Sequence, residues 1–304
     1  MIRPRLVVAL ATVALAGCGT FEDNDVAADV DGTEISRDQF EEILQELAAN
    51  SEDTQIVADP ATGAVPADRG RGVLGLLVTN AANRTFLAAH DESITDEDRD
   101  AFVQTVEGDP LLGLPEDVLN ELIDGQVSGT ARGRIVAPDP AELEQLYTES
   151  PGSAGVMCIR RIVVGTEEEA RDVIEELDEG GDFAALAAEH STDEATAADG
   201  GAVTSEQGEP CVPISQAGRT VDPAVAAAAL DARPGLPVGP IETDGGWEVI
   251  VARPFEEVAD ALTTMYEDRA GDLLFLGYLA TTDIQVDPRY GRWDPLGFTV
   301  TALA

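Results

Sequence analysis

The thiols and imidazoles in this chain are few: Cys18, Cys158 and Cys211, with His90 and His190. Cys18 closes Leu15-Ala16-Gly17-Cys18, behind Arg3, Arg5 and an apolar run from Leu6 to Ala16 that is too short to span a bilayer. This pattern matches a lipobox, at which a signal peptidase cuts and leaves a lipidated cysteine; ordinary cleavage after Ala14-Leu15-Ala16 also fits. A lipidated Cys18 would hold the chain at the outer face of a membrane. Cys158 and Cys211 then remain as an even pair in an oxidising compartment, which favours a disulfide over two free thiols. Neither histidine sits at metal-ligand spacing, and Asp29-Val30-Asp31-Gly32 is too short for a calcium loop, so no metal and no cofactor is expected.

Basic residues number 18 against 59 acidic ones, a net charge of −41, and every basic residue is Arg. Such a field repels nucleic acid and anionic headgroups, so nucleic acid is not an expected partner. The acidity suits a high-GC or salt-adapted proteome, with a cation store or a lure for basic clients as the functional alternative.

The pattern of elements changes along the chain. Residues 1–17 read as a lipoprotein signal peptide and 18–29 as a flexible tether. Ser36-Arg37-Asp38-Gln39 opens a helix with Phe40, Ile43, Leu44 and Leu47 on one face. A longer helix is predicted over 70–90, a short one from Thr95, and helical pattern again over 115–150. At Val156–Val164 a β-rich run begins, and Thr166-Glu167-Glu168-Glu169 caps a helix that Gly180-Gly181 stops. Asp182 starts another helix, one more follows near 223–231, and a last strand runs from Trp247 to Ala252. Helical pattern returns from Phe255 to Leu279, and the end reads as turns. The fold class is therefore α+β: residues 30–150 and 255–304 form a helical module, into which 151–254 are inserted.

The inserted segment resembles the parvulin family of peptidyl-prolyl isomerases. Three ordered pieces carry the resemblance: Ile162-Val163-Val164 with Gly181-Asp182-Phe183-Ala184; Ser191-Thr192-Asp193 leading to Gly200-Gly201; and Arg233-Pro234-Gly235, Gly239-Pro240-Ile241 and Gly245-Gly246-Trp247-Glu248. The flanks, through Val30-Asp31-Gly32 and Pro288-Arg289-Tyr290-Gly291, are similar to the SurA/PrsA type of extracytoplasmic foldase. The resemblance implies a β-α-α-α-β domain with a four-stranded sheet, inserted in a helical chaperone domain of residues 30–150 on which the C-terminal segment packs.

Rotation about an X-Pro bond breaks no bond, so its catalyst needs an apolar pocket for the ring and hydrogen bonds that favour the twisted amide. The family pairs two histidines beside a Cys or Asp. Asp193 keeps that third position, whereas Arg161 and Glu248 stand where the histidines would be. Val221, Val225, Leu230 and Trp247 are the expected pocket. Arg161 and Glu248 are expected to meet as an ion pair. The implied function is a membrane-anchored foldase or chaperone for unfolded exported chains, with reduced or absent isomerase activity. An active isomerase using Arg161 and Asp193, or a structural lipoprotein docking one fixed partner, are the alternatives.

Overall fold

A computed structural model describes residues 25–303. The expected signal peptide, Cys18 and most of the expected tether lie outside them. The end of that tether does not: Val26–Asp29 belong to strand β1 (Val26–Val30), which is almost wholly buried. Strand β1 pairs antiparallel with β2 (Thr33–Ser36) on one side and with β8 (Ile284–Val286) on the other. Alternation in Val26–Val30 is weak because the strand is buried on both faces, and a strand of that kind lacks a polar side to read.

Helix α1 (Arg37–Ala49) starts where Ser36 Oγ accepts the Gln39 amide at 3.1 Å, and it buries Phe40, Ile43 and Leu47. After the single turn α2 (Ser51–Thr54), helix α3 (Ala67–Ala89) forms the spine of the helical module. Helix α4 (Asp96–Thr105) is closed at its start by a full capping box between Thr95 and Asp98. Helix α5 (Glu116–Arg132) packs along α3. The core here joins β1, α1, α3 and α5 to Phe275, Leu279, Val286 and Val300 from the C-terminal segment. Long-range burial of that kind makes the two ends of the chain one folding unit.

Helix α6 (Pro140–Glu149), capped by Asp139 and Glu142, leads into the inserted domain. The β-rich run splits into β3 (Val156–Met157) and β4 (Ile159–Val164) at Cys158. There Cys158 is bonded to Cys211, with Cα atoms 4.3 Å apart. Helices α7 (Glu167–Asp178), α8 (Phe183–His190) and α9 (Glu194–Ala197) follow, the first with a capping box between Thr166 and Glu169. Then come β5 (Val212–Pro213), α10 (Ile214–Thr220), α11 (Pro223–Leu230), β6 (Pro237–Thr243) and β7 (Gly246–Ala252).

The sheet of this domain has three strands in the order β4-β7-β6, not the expected four. Its fourth member is reduced to one bridge between Arg160 and Ala202. Gly200 and Gly201 both hold positive φ, at 62° and 80°, which bends the chain as it meets β4. A Cβ on Gly201 would lie 2.6 Å from the Arg161 carbonyl oxygen, so only glycine permits the approach. The Val203 amide donates to the carbonyl of Ile159, the first residue of β4, at 3.1 Å, and the pairing ends there.

The sheet buries both faces. Ile162, Val164 and Val249 pack on α7 and α8, while Ile159 and Ile250 pack on α10 and α11. Helix α12 (Phe255–Thr281) breaks its helical geometry at Arg269. Its first half packs on α6 and on the disulfide, and its second half enters the helical core. Tyr147 Oη donates to the Arg253 carbonyl and Tyr266 Oη to that of Ala154, each at 2.8 Å, which fastens the inserted domain to α6 and α12. The end expected as turns instead carries β8 and a hairpin of β9 (Arg292–Asp294) and β10 (Thr299–Thr301). Three-residue strands give too few alternations to be read from sequence.

Candidate functional site

Strand β4 presents Arg161 and Val163 on the face that carries Glu248 and Ile250 of β7, since alternate residues share a face. Arg161 stands opposite Ile250, and Val163 opposite Glu248. Arg161 and Glu248 are therefore diagonal neighbours rather than a facing pair.

The loop between α8 and α9 is stitched to β4. The Thr192 amide donates to the Val163 carbonyl at 2.7 Å, and the Val163 amide donates to Ser191 Oγ at 3.2 Å. That stitching sets Asp193 beside Arg161. Both Nε and Nη2 of Arg161 donate to Asp193 Oδ2, at 3.1 and 2.6 Å. Thr196 Oγ1 donates to the same oxygen at 2.8 Å, while the Ala195 amide donates to Oδ1 at 3.3 Å. Burial by itself would raise the Asp193 carboxyl, but the Thr196 and Arg161 hydrogen bonds outweigh it and hold the group below its ordinary value.

Glu248 has weaker support, a Thr243 hydroxyl that only partly offsets its burial. Its side chain is 6% exposed, the nearest Arg161 nitrogen is 3.8 Å away, and Oε2 is buried with no hydrogen-bond partner. Burial pushes its carboxyl above the ordinary value; Arg161 opposes the shift and Asp222 adds to it. The expected Arg161–Glu248 pair is thus only a loose Coulombic contact, because the guanidinium is committed to Asp193 instead. Thr196 and Asp222 were not expected at the site. The signal for Thr196 was its place three residues after the helix-capping Asp193.

Of the expected pocket, Val221 and Val225 lie in one apolar cluster with Ile159, Val212 and Ile250, on the Glu248 side of the sheet. Leu230 is buried at the end of α11, outside that cluster. Trp247 is on the other face, packed with Ile162, Val164 and Phe183 beneath α7 and α8. Adjacent residues of a strand point to opposite sides, so Trp247 and Glu248 cannot share a pocket. His190 is near Glu176, at 3.6 Å, away from this site.

Chemically, the site holds an acid–base pair locked together, a second, buried acid whose Oε2 has no hydrogen-bond partner, and a small aliphatic floor. No group of side chains able to hold a metal occurs among the described residues, and no helix among them is long and apolar enough to cross a membrane.

Residues 164–253 match the model of the rotamase family, the PPIC-type peptidyl-prolyl isomerase domain. The foldase protein PrsA of Caldanaerobacter subterraneus subsp. tengcongensis is 34% identical over 122 residues, which cover 38% of this chain and 37% of that protein. The match thus spans little more than a third of that relative. Among solved structures, PrsA from Bacillus subtilis is 18% identical, covering 77% of this chain and 95% of its own, with a TM-score of 0.29. A SurA-like chaperone of Campylobacter jejuni is 21% identical, covering 81% and 92%, with a TM-score of 0.27. Superposition at that level is too loose to bear on function. Sequence match and ordered motifs together make residues 164–253 a PPIC-type parvulin domain, carried in a chain related to the PrsA foldases.

Proposed function

We propose that this chain is an extracytoplasmic foldase that binds unfolded exported polypeptides, is anchored by lipid on Cys18, and has reduced or no isomerase activity. The observation that carries the reading is the commitment of Arg161 to Asp193, with Glu248 left buried and raised. A twisted prolyl amide is stabilised by donors free to move onto it in the transition state. Here the guanidinium already spends two N–H groups on a carboxylate, and a buried carboxyl at Glu248 supplies no tunable imidazole.

In the proposed division of labour, residues 30–150 with 255–304 are the client-binding helical module, and 151–254 the inserted domain. Strand β1 would extend the helical module to Val26, leaving a tether of residues 18–25. A proline-limited refolding assay, run beside suppression of client aggregation, tests the proposal. It expects slowed aggregation with little acceleration of the proline phase. Strong acceleration that disappears in Asp193→Ala would instead establish an isomerase built on Arg161 and Asp193. The retained Asp193 is what favours that second reading.

A further inference from the structure

The turn of the terminal hairpin lies over the parvulin domain. Between that hairpin and α10–α11 is a cleft of roughly 710 Å³, whose lining includes Arg219, Arg292, Trp293, Pro223, Ala227 and Leu296. Leu296 also packs on the apolar cluster of Val221 and Val225, so the cleft exists only with the hairpin in place.

Two observations single this cleft out. Arg is the only cation in a chain of 18 basic and 59 acidic residues, and most arginines around the domains are ion-paired, as at Arg132, Arg134, Arg160 and Arg253. Arg219 and Arg292 are exposed and in no ion pair among the described residues. The one acid on the lining, Asp294, accepts the Leu296 amide of its own turn at 3.0 Å. Second, the indole Nε1–H of Trp293 is buried without an acceptor among the described residues. A larger cleft beside His90, of roughly 810 Å³, has the opposite character, with Glu142 and Glu149 and no arginine.

We propose that this cleft receives an acidic–apolar segment of a client polypeptide. Arg219 and Arg292 hold an Asp or Glu side chain, and its apolar neighbour rests on Pro223, Ala227 and Leu296. The proposal rests on the client-binding reading above. A chain at −41 repels acidic clients at long range. Unpaired guanidinium forks give such clients a local foothold, because they bind carboxylates with two donors at once.

The test uses the full chain carrying Trp247→Phe, which leaves Trp293 as the single tryptophan of the original two. Short Ala/Leu peptides with blocked ends are titrated, bearing central Glu, Gln or Lys; a fourth is the Gln peptide with a free C-terminal carboxylate. The Glu peptide should shift Trp293 emission and bind about tenfold more tightly than the Gln peptide, as a charge-assisted hydrogen bond predicts. Arg219→Ala and Arg292→Ala should each weaken it about fivefold, and about 0.5 M salt should erase most of the difference. Arg219→Glu should shift the preference toward the Lys peptide. Equal binding of Glu and Gln peptides would overturn the proposal. So would tighter binding of the free-carboxylate peptide, or unchanged Glu binding to Arg219→Glu. Aggregation suppression by the parent is measured alongside. If it is present while the Glu preference is absent, the cleft proposal fails and the chaperone reading stands. If it is absent, the chaperone reading fails, and the peptide titration still judges the cleft.

Discussion

Replacing Arg161 with alanine would remove the cation that faces both Asp193 and Glu248. Asp193 would keep the Thr196 hydroxyl at 2.8 Å and is about one-fifth exposed, so water can replace much of what it loses. Glu248, at 6% exposure, has no such recourse. Two unit charges 3.8 Å apart attract by about 4 kcal/mol at an effective dielectric near 20. Part of that is recovered because Glu248 can take up a proton, and we expect a net loss of about 3 kcal/mol at neutral pH, the lower end for breaking a buried pair. Burial already raises the Glu248 carboxyl above 4.5, and Arg161 opposes that rise. Without Arg161 the folded-state pKa climbs further. An acid raised on folding is least costly below its unfolded pKa and most costly above its folded one. The deficit of Arg161→Ala should therefore be largest at neutral pH and shrink toward pH 4.5 and below. Urea melts read by Trp247 emission in a Trp293→Phe background would measure it. Adding Glu248→Gln should recover about 1–2 kcal/mol at neutral pH and little in acid, since it removes the charge that burial penalises. A deficit independent of pH, or no recovery with Gln, would refute the reasoning.

Three further outcomes are expected. Non-reducing peptide mapping should recover Cys158 and Cys211 in one bridged fragment, and Cys158→Ser with Cys211→Ser should cost about 2–4 kcal/mol for a loop of this length; alkylation of both thiols in oxidised protein would contradict it. Cys18→Ser should leave the membrane fraction or persist as an uncleaved precursor, and normal processing with membrane retention would end the lipid-anchor proposal. Replacing Arg161 and Glu248 together by histidine should destabilise the domain less than Arg161→Ala alone and, under the proposal of reduced isomerase activity, speed the proline phase, each tenfold in rate corresponding to about 1.36 kcal/mol; no gain in rate with intact folding would count against that proposal.

Local order was legible because it depends on neighbours in sequence. The caps at Ser36, Thr95 and Thr166 rest on hydroxyls that reach amides three residues on, and the helices they open appear where expected. The motif order from Ile162 to Glu248 likewise marked a parvulin domain, where the family match over residues 164–253 falls. The expected pocket nevertheless included Trp247, which the two-residue period of β7 turns to the face opposite Glu248. What the residues alone could not decide is which of several charges Arg161 meets. That depends on the Ser191–Asp193 loop being tied to the β4 backbone by long-range hydrogen bonds. The missing fourth strand depends likewise on a long-range contact, since the 200–203 segment meets β4 only from Arg161 to Ile159, where β4 begins. The terminal hairpin was hidden because its three-residue strands are stabilised by α3 and the parvulin domain, not by their own pattern. Sequence determined the elements and their caps, whose energies are local. Tertiary structure decided the partners of charged and apolar groups, because those energies depend on distances between segments far apart in the chain.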